Sequence, residues 1–245
     1  SALGIWPWSD VFMSTETTNL LLSTLSAGPV GVGDAIGAES SSNLFKTIRA
    51  DGVIVKPDAP IIPIDAIYLQ DAQGTIGPMI ASTYSDFGSG MKALYVFAYA
   101  RSSNTTATFT PTSLGLSGNA YVYNYFTGTG TVVPAGTAYN DTVTSNGSYY
   151  LVVPIGQSSI GFLGDTGKFV SWGKKRFSQI SDTGTLQASL TFANGENSIT
   201  LSGYSPNSPT ITATDGSVGT VNYNSTTQLF TVTVFPGADG SASIK

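Results

Sequence analysis

At Gly52 the sequence changes its period, and the change limits what the chain can fold into. Before it, apolar residues recur at helical spacing. Asn19-Leu20-Leu21-Leu22-Ser23-Thr24-Leu25 follows Ser14, Thr15 and Thr17, whose hydroxyls are placed as N-caps, and Gly28 stands where a helix stops. A second helix is expected from Ser40–Ser42, with Leu44 and Ile48 four apart, Phe45 widening the apolar face and Asp51-Gly52 as the stop. Between the two, Pro29-Val30-Gly31-Val32-Gly33 reads as a short strand buried on both faces. Helix, buried strand, helix is the rhythm of a parallel α/β unit.

After Gly52 alternation takes over. Strands are expected near 64–70, 92–100, 105–110, 119–126, 148–154 and 159–163, separated by Gly, Pro, Ser and Asn. "KALYVFAYA" is apolar on both faces, as suits a central strand covered on both sides. Tyr121, Tyr123 and Tyr125 alternate with Val122, Asn124 and Phe126. Beyond Lys168, "LQASLTF", "NSITLSGY", "PTITATDG", "GTVNYN" and "LFTVTVF" alternate around turns. Short strands at this spacing suggest β-sandwiches. The joint falls near "LGDTGKFVSWGKKRF", where Lys174-Lys175-Arg176 is expected to be a solvated turn.

One strand and two helices do not stand alone, because a parallel strand needs neighbours and cover on both faces. Residues 1–52 therefore read as the last helix–strand–helix of a larger α/β domain, followed by a β-sandwich over 53–165 and a second sandwich-like unit over 166–245. The expected class is mainly β with a remnant of a (β/α)8 barrel.

Composition excludes several functions. Only 10% of residues are charged and the net charge is −5, which disfavours nucleic acid and anionic membrane as partners. The chain has neither Cys nor His, so disulfides, thiolate or imidazole metal sites and histidine-dependent triads are out, and no cofactor is expected. Four Asn-x-Ser/Thr triplets, at Asn104, Asn140, Asn146 and Asn224, fit a secreted, glycosylated protein. No apolar run reaches the ~18 residues of a membrane span, and no signal peptide is visible, so the chain reads as a mature or cut form.

The run "SAGPVGVGDAIG" holds four glycines around Asp34. It is not a dinucleotide loop: Gly31, Gly33 and Gly37 give G-x-G-x-x-x-G, one residue too long, and the helix begins only near Ser40. No Walker lysine follows, and Asp34 would repel an anion. The other reading puts Asp34 at the C-terminal end of a barrel strand, where β/α barrels hold their active sites.

With that placement, "PWSDVFMSTETTNLLLSTLSAGPVGVGDAIGAESSSNLFKTIRADGVIVKPDAPIIPID" resembles the end of the barrel in clan D glycoside hydrolases of the α-galactosidase/raffinose-synthase type (family 36 and relatives). Trp8, Asp10, Val11 and Phe12 match the element after barrel strand 7, offset by Ser9. Gly31, Gly33 and Asp34 match a Gly-rich strand 8 ending in Asp, and Asp51, Gly52, Val53 and Pro57 match the exit into a β-sandwich. The likeness covers roughly the first 65 residues. It implies that the catalytic nucleophile and the acid/base, carried after strands 4 and 6 in that family, lie upstream of anything present here. A retaining glycosidase needs two carboxylates about 5–5.5 Å apart, so no catalytic residue is assigned to this chain.

By that resemblance Trp8, Asp10 and Asp34 line a sugar site without performing the displacement. The competing readings are that Trp6 and Trp8 plug the barrel rim, and that Asp10 and Asp34 cap helices or turns. Trp172 and the tyrosine stripe read as core in preference to a carbohydrate-binding face. Two functions remain. The first is the non-catalytic C-terminal portion of a secreted α-glycosidase-like protein, with carbohydrate and the rest of the barrel as partners. The second is a stand-alone extracellular structural or carbohydrate-binding β-protein. Exposed apolar surface on residues 1–52 would favour the first.

Overall fold

The structure, a computed structural model, describes residues 11–245. It is 10% helical and 38% strand, a mainly β molecule of several sheets, with no barrel among the described residues. Three α-helices occur among the described residues, α1 (Thr17–Leu25), α2 (Ser41–Leu44) and α3 (Asp65–Ala72), and none of them is long and apolar enough to cross a membrane.

Within residues 11–56, α1 is the element that forms as expected. Leu20, Leu21 and Leu25 are fully buried along one face. The helix ends at Leu25 because Ala27, not Gly28, turns left-handed (φ 58) and Gly28 N–H bonds to Ser26 Oγ. At its other end Glu16 occupies the N-cap position without a side-chain cap, in place of the expected hydroxyls. Pro29–Gly33 has no regular secondary structure and joins no sheet, and Gly31 is exposed. The expected buried strand fails because no strand among the described residues lies beside it; its one ladder-like bond runs from Gly33 N–H to Phe12 O (2.8 Å). The second helix stops at Leu44, and Asp51-Gly52 belongs to a tight turn between paired Ile48 and Ile54, with Gly52 at φ 80.

The next part is an antiparallel sheet. Its strands are β1 (Ile62–Pro63), β2 (Met79–Asp86), β3 (Lys92–Tyr99), β5 (Ala120–Asn124), β6 (Thr129–Val133) and β8 (Ser148–Pro154), in the order β1-β2-β3-β8-β5-β6. A separate ribbon of β4 (Thr105–Phe109) and β7 (Tyr139–Val143) covers one face. The strand expected at 64–70 is instead α3. Ile64 and Ile67 lie three apart, Asp65 opens the first turn, and Gly74 (φ 69) ends it, all helical signals.

Alternation divides the central strands between two cores. Leu94, Val96 and Ala98 of β3 and Tyr150 and Val152 of β8 face the ribbon. Ala93, Tyr95, Phe97, Tyr149, Leu151 and Val153 face the other way, into a larger core shared with α1 and the C-terminal strands. Complete burial of a large apolar side chain is worth about 1.5–3 kcal/mol, so these two central strands anchor the molecule from both sides.

The last part pairs β9 (Gly161–Gly164), β12 (Ile199–Tyr204), β14 (Ser217–Val218) and β16 (Leu229–Phe235), with β15 (Asn222–Asn224) also on β16, against β10 (Phe177–Asp182), β11 (Leu186–Thr191), β13 (Ala213–Asp215) and β17 (Ser241–Ile244). Leu201, Val232 and Val234 of the first sheet share a core with Ile180, Leu190 and Ala242 of the second, the packing of a β-sandwich.

Candidate functional site

The region assigned to a sugar site centres on Ser14, which is fully buried. Its N–H donates to Asp34 Oδ2 (2.8 Å) and its hydroxyl to Asp34 Oδ1 (3.0 Å). Ser40 N–H donates to Ser14 Oγ (2.7 Å), and Asn43 Nδ2 donates to both Ser14 O and Thr17 Oγ1 (3.1 Å each). Lys46 Nζ completes the chain of bonds by donating to Asn43 Oδ1 (2.9 Å). Asp34 thus holds the turn that leads into α1, while remaining partly exposed. Each of its carboxylate oxygens keeps a lone pair for a further donor, so the group is able to orient a hydroxyl.

Phe12–Ser14 and Gly33–Asp34 lie beside each other, joined by one backbone bond, Gly33 N–H to Phe12 O, and by the Asp34 carboxylate on Ser14. Val11, Met13 and Ile36 in these stretches are exposed, Ile36 completely. The glycine that packs closely is Gly33, whose missing Cβ faces the Val11 side chain, whereas Gly31 has open space around it. Trp6, Trp8 and Asp10 lie outside the described residues.

The aromatic readings resolve toward the core. Trp172 is fully buried; its Nε1–H donates to Phe162 O (2.9 Å) and its backbone N–H to Tyr95 Oη (3.0 Å). Tyr121 is buried and stacks on Tyr204 at 4.6 Å, and Tyr123 and Tyr125 pack against the same core. Burial pushes the Tyr121 hydroxyl up to about 12, so it stays protonated.

A charged network that sequence spacing did not reveal joins the N-terminal segment to the C-terminal sandwich. Arg176, expected in a solvated turn, is only 1% exposed, while Lys174 and Lys175 beside it are exposed. Its guanidinium forks onto Glu196 (2.6 and 2.9 Å), reaches Asp165 Oδ2 (3.1 Å) and donates to Thr191 O (2.9 Å). Glu196 also accepts from Ala193 N–H (2.7 Å) and Ala50 N–H (3.3 Å), and Lys168 Nζ donates to Phe45 O (2.5 Å). Burial alone would raise the Glu196 carboxyl, but the Arg176 fork and the two backbone donors outweigh it and hold the group at about 2. Asp165, with one bond to the same guanidinium, is pushed up by burial. Every member has a partner, so the network is structural. Asp and Glu partners 11 and 20 residues from Arg176, on different loops, carry no sequence pattern.

Asn104, Asn140, Asn146 and Asn224 are all exposed. Three gather around the β4–β7 ribbon, where Asn140 accepts from Thr108 Oγ1 (2.8 Å); Asn224 closes the β15–β16 turn by accepting from Thr226 and Thr227 N–H. No group of three or more acidic side chains able to hold a metal ion occurs among the described residues.

Comparison with known proteins finds no matching family model and no matching curated protein. Among solved structures, an isomalto-dextranase of Arthrobacter globiformis T6 complexed with panose aligns with 97% of this chain at 16% identity and a TM-score of 0.34. The chain spans 47% of that protein's length, and likeness at this level assigns neither fold nor function.

Proposed function

We propose that this chain is the non-catalytic C-terminal portion of a secreted α-glycosidase-like, carbohydrate-active protein. In this reading residues 1–52 complete a β/α barrel, 53–165 and 166–245 form β-sandwich units behind it, and Trp8, Asp10 and Asp34 line the sugar site. Asn104, Asn140, Asn146 and Asn224 carry N-linked glycans. The observation that supports it most is the placement of Phe12–Ser14 beside Gly33–Asp34, where Gly33 N–H donates to Phe12 O and Asp34 accepts from Ser14, with Met13 and Ile36 exposed in the same two stretches. Exposed apolar side chains of this kind favour a covering partner.

A stand-alone extracellular β-protein is favoured by a different observation. Leu20, Leu21 and Leu25 of α1 are buried in the same core as the C-terminal strands, so the segment already has a home. Intact-mass analysis of the native species separates the two. The barrel reading expects upstream barrel sequence on the same polypeptide, or a stoichiometric barrel chain. A native species of this chain alone, with glycans as its only additions, overturns it. Asp34→Ala in the complete protein should then weaken sugar affinity roughly ten- to a hundredfold, as loss of a hydrogen bond to a charged group does. Unfolding with unchanged residual affinity would make Asp34 a cap only.

A further inference from the structure

We propose that the C-terminal sandwich carries a second binding site, for an uncharged amphiphile: an alkyl or aryl group bearing a hydroxylated head. The site is a cavity of about 420 Å³ at the open end between the two sheets, within the roughly 300–1,000 Å³ of small-molecule pockets. It lies apart from Asp34 and does not rest on the function proposed above.

Both sheets build the floor. Phe162 of β9 and Phe230 and Val232 of β16 line one wall; Ala188 of β11 and Ile244 of β17 line the other. Two small residues keep the space open. Gly203 is paired directly with Phe230, and a Cβ there would stand 2.5 Å from Phe230 Cζ, so the ring lies over the glycine instead of filling the gap between the sheets. Ala188 leaves the facing wall short.

The mouth has a different chemistry. On one side the loop 205–211 presents Asn207, Ser208 and Thr210, exposed side chains that form no hydrogen bond with any described residue. On the other, Ser159 holds a left-handed backbone (φ 64) in the turn before β9. That turn is locked by Asp182, whose carboxylate accepts from Ser158 N–H (3.1 and 3.2 Å) and Ser158 Oγ (2.5 Å). Strained non-glycine backbone persists only where its surroundings hold it, and a mouth held in advance lowers the ordering cost of binding.

These two chemistries select the ligand. The floor residues Phe162, Ala188, Phe230, Val232 and Ile244 present only hydrocarbon side chains and take hydrocarbon. The mouth offers an amide and hydroxyls, both donors and acceptors, and suits a hydroxylated head. Lys245 is the one charged residue in the lining, and the groups offered to the head are the uncharged Asn207, Ser208 and Thr210.

The test titrates the 245-residue protein with n-octyl β-D-glucoside below its micelle concentration, followed by calorimetry and by the melting temperature. Saturable one-site binding with a raised melting temperature is expected. Ala188→Leu, which fills the floor, should weaken it at least tenfold with an unchanged circular dichroism spectrum. Should that variant fail to fold, the exposed pair Asn207→Ala and Ser208→Ala carries the test, reducing affinity for octyl glucoside to that for 1-octanol. The proposal is overturned by absence of saturable binding, by glucose binding as well as octyl glucoside, or by octanoate binding more tightly. It is also overturned by a folded Ala188→Leu protein that binds unchanged, or by an Asn207→Ala, Ser208→Ala protein that does.

Discussion

The segment before Lys56 and the β body after it solve the same problem by opposite means. In the body, backbone groups pair along ladders, and large side chains fall on alternate faces into two cores. Among the described residues of the N-terminal segment no strand forms, and backbone groups lean on side chains instead: Ser14, Ser40 and Asp34 exchange the bonds that a ladder would supply. The segment is tied to the body by Leu20, Leu21 and Leu25 in the shared core and by bonds such as Phe169 N–H to Lys46 O and Ala50 N–H to Glu196. In the segment the backbone around Ser14 depends on side-chain acceptors, whereas the central strands of the body depend on ladders and packing.

The strongest way to break the contrast is at the joint. Arg176→Met leaves Asp165 and Glu196 without their guanidinium, and the loss should be about 3–5 kcal/mol, as for a broken buried ion pair. Chemical denaturation measures it, and a loss under about 1 kcal/mol would mean that apolar packing alone joins the two regions.

Acid should act at the same place. The Glu196 carboxyl is held below its ordinary 4.5, at about 2, so its contribution is fully present above pH 4.5 and is lost as pH falls toward 2. Glu196→Gln should flatten the acid limb of the stability curve over that window. An unchanged limb would assign acid sensitivity to other carboxyls.

Within the segment, Gly33→Val drives a side chain into Val11 and should cost about 1–3 kcal/mol. Gly31→Val, at an exposed position with open space, should stay within about 0.5 kcal/mol. This reverses the expectation that Pro29–Gly33 is a strand buried on both faces, and equal melting temperatures for the two variants would restore it. Asp34→Ala removes the acceptor for Ser14, and a loss of about 0.5–2 kcal/mol is expected, as for other capping side chains. Asp34→Asn, which keeps one acceptor oxygen, should lose less.

Legibility in the sequence followed the same divide. Strands β3, β5, β8, β11, β12 and β16 are readable because their burial alternates or is apolar throughout. Strand β2 hides behind small polar residues, with Ser82, Thr83 and Ser85 where larger apolar ones would mark the face. Strands β6 and β7 are mostly exposed Thr, Gly and Asn, and the bulge between Phe177 and Gln179 breaks the alternation of β10. In the segment, helical spacing at Leu44 and Ile48 was real but was cut by the turn at Phe45–Thr47, which tertiary bonds to Lys46 and Lys168 impose. At the candidate site, Asp34 was legible as a polar residue after a glycine run. Its partner Ser14, 20 residues earlier, was legible only as a helix cap.

Strand β3 is apolar on both faces, so sliding it by one residue would exchange Tyr95 and Phe97 for Leu94, Val96 and Ala98 with little change in the hydrocarbon each core receives. Greasiness cannot tell the two phases apart. The Tyr95 hydroxyl can: deep in the molecule it donates to Ser85 Oγ (3.0 Å) and accepts from Trp172 N–H (3.0 Å), linking a neighbouring strand to the loop before β10. Moved to the opposite face, that hydroxyl would be stranded in hydrocarbon, at a cost of about 1–3 kcal/mol for the unmet group. A single oxygen atom thus acts as the alignment mark for the central strand, and through Trp172 it sets the seating of one half of the molecule on the other.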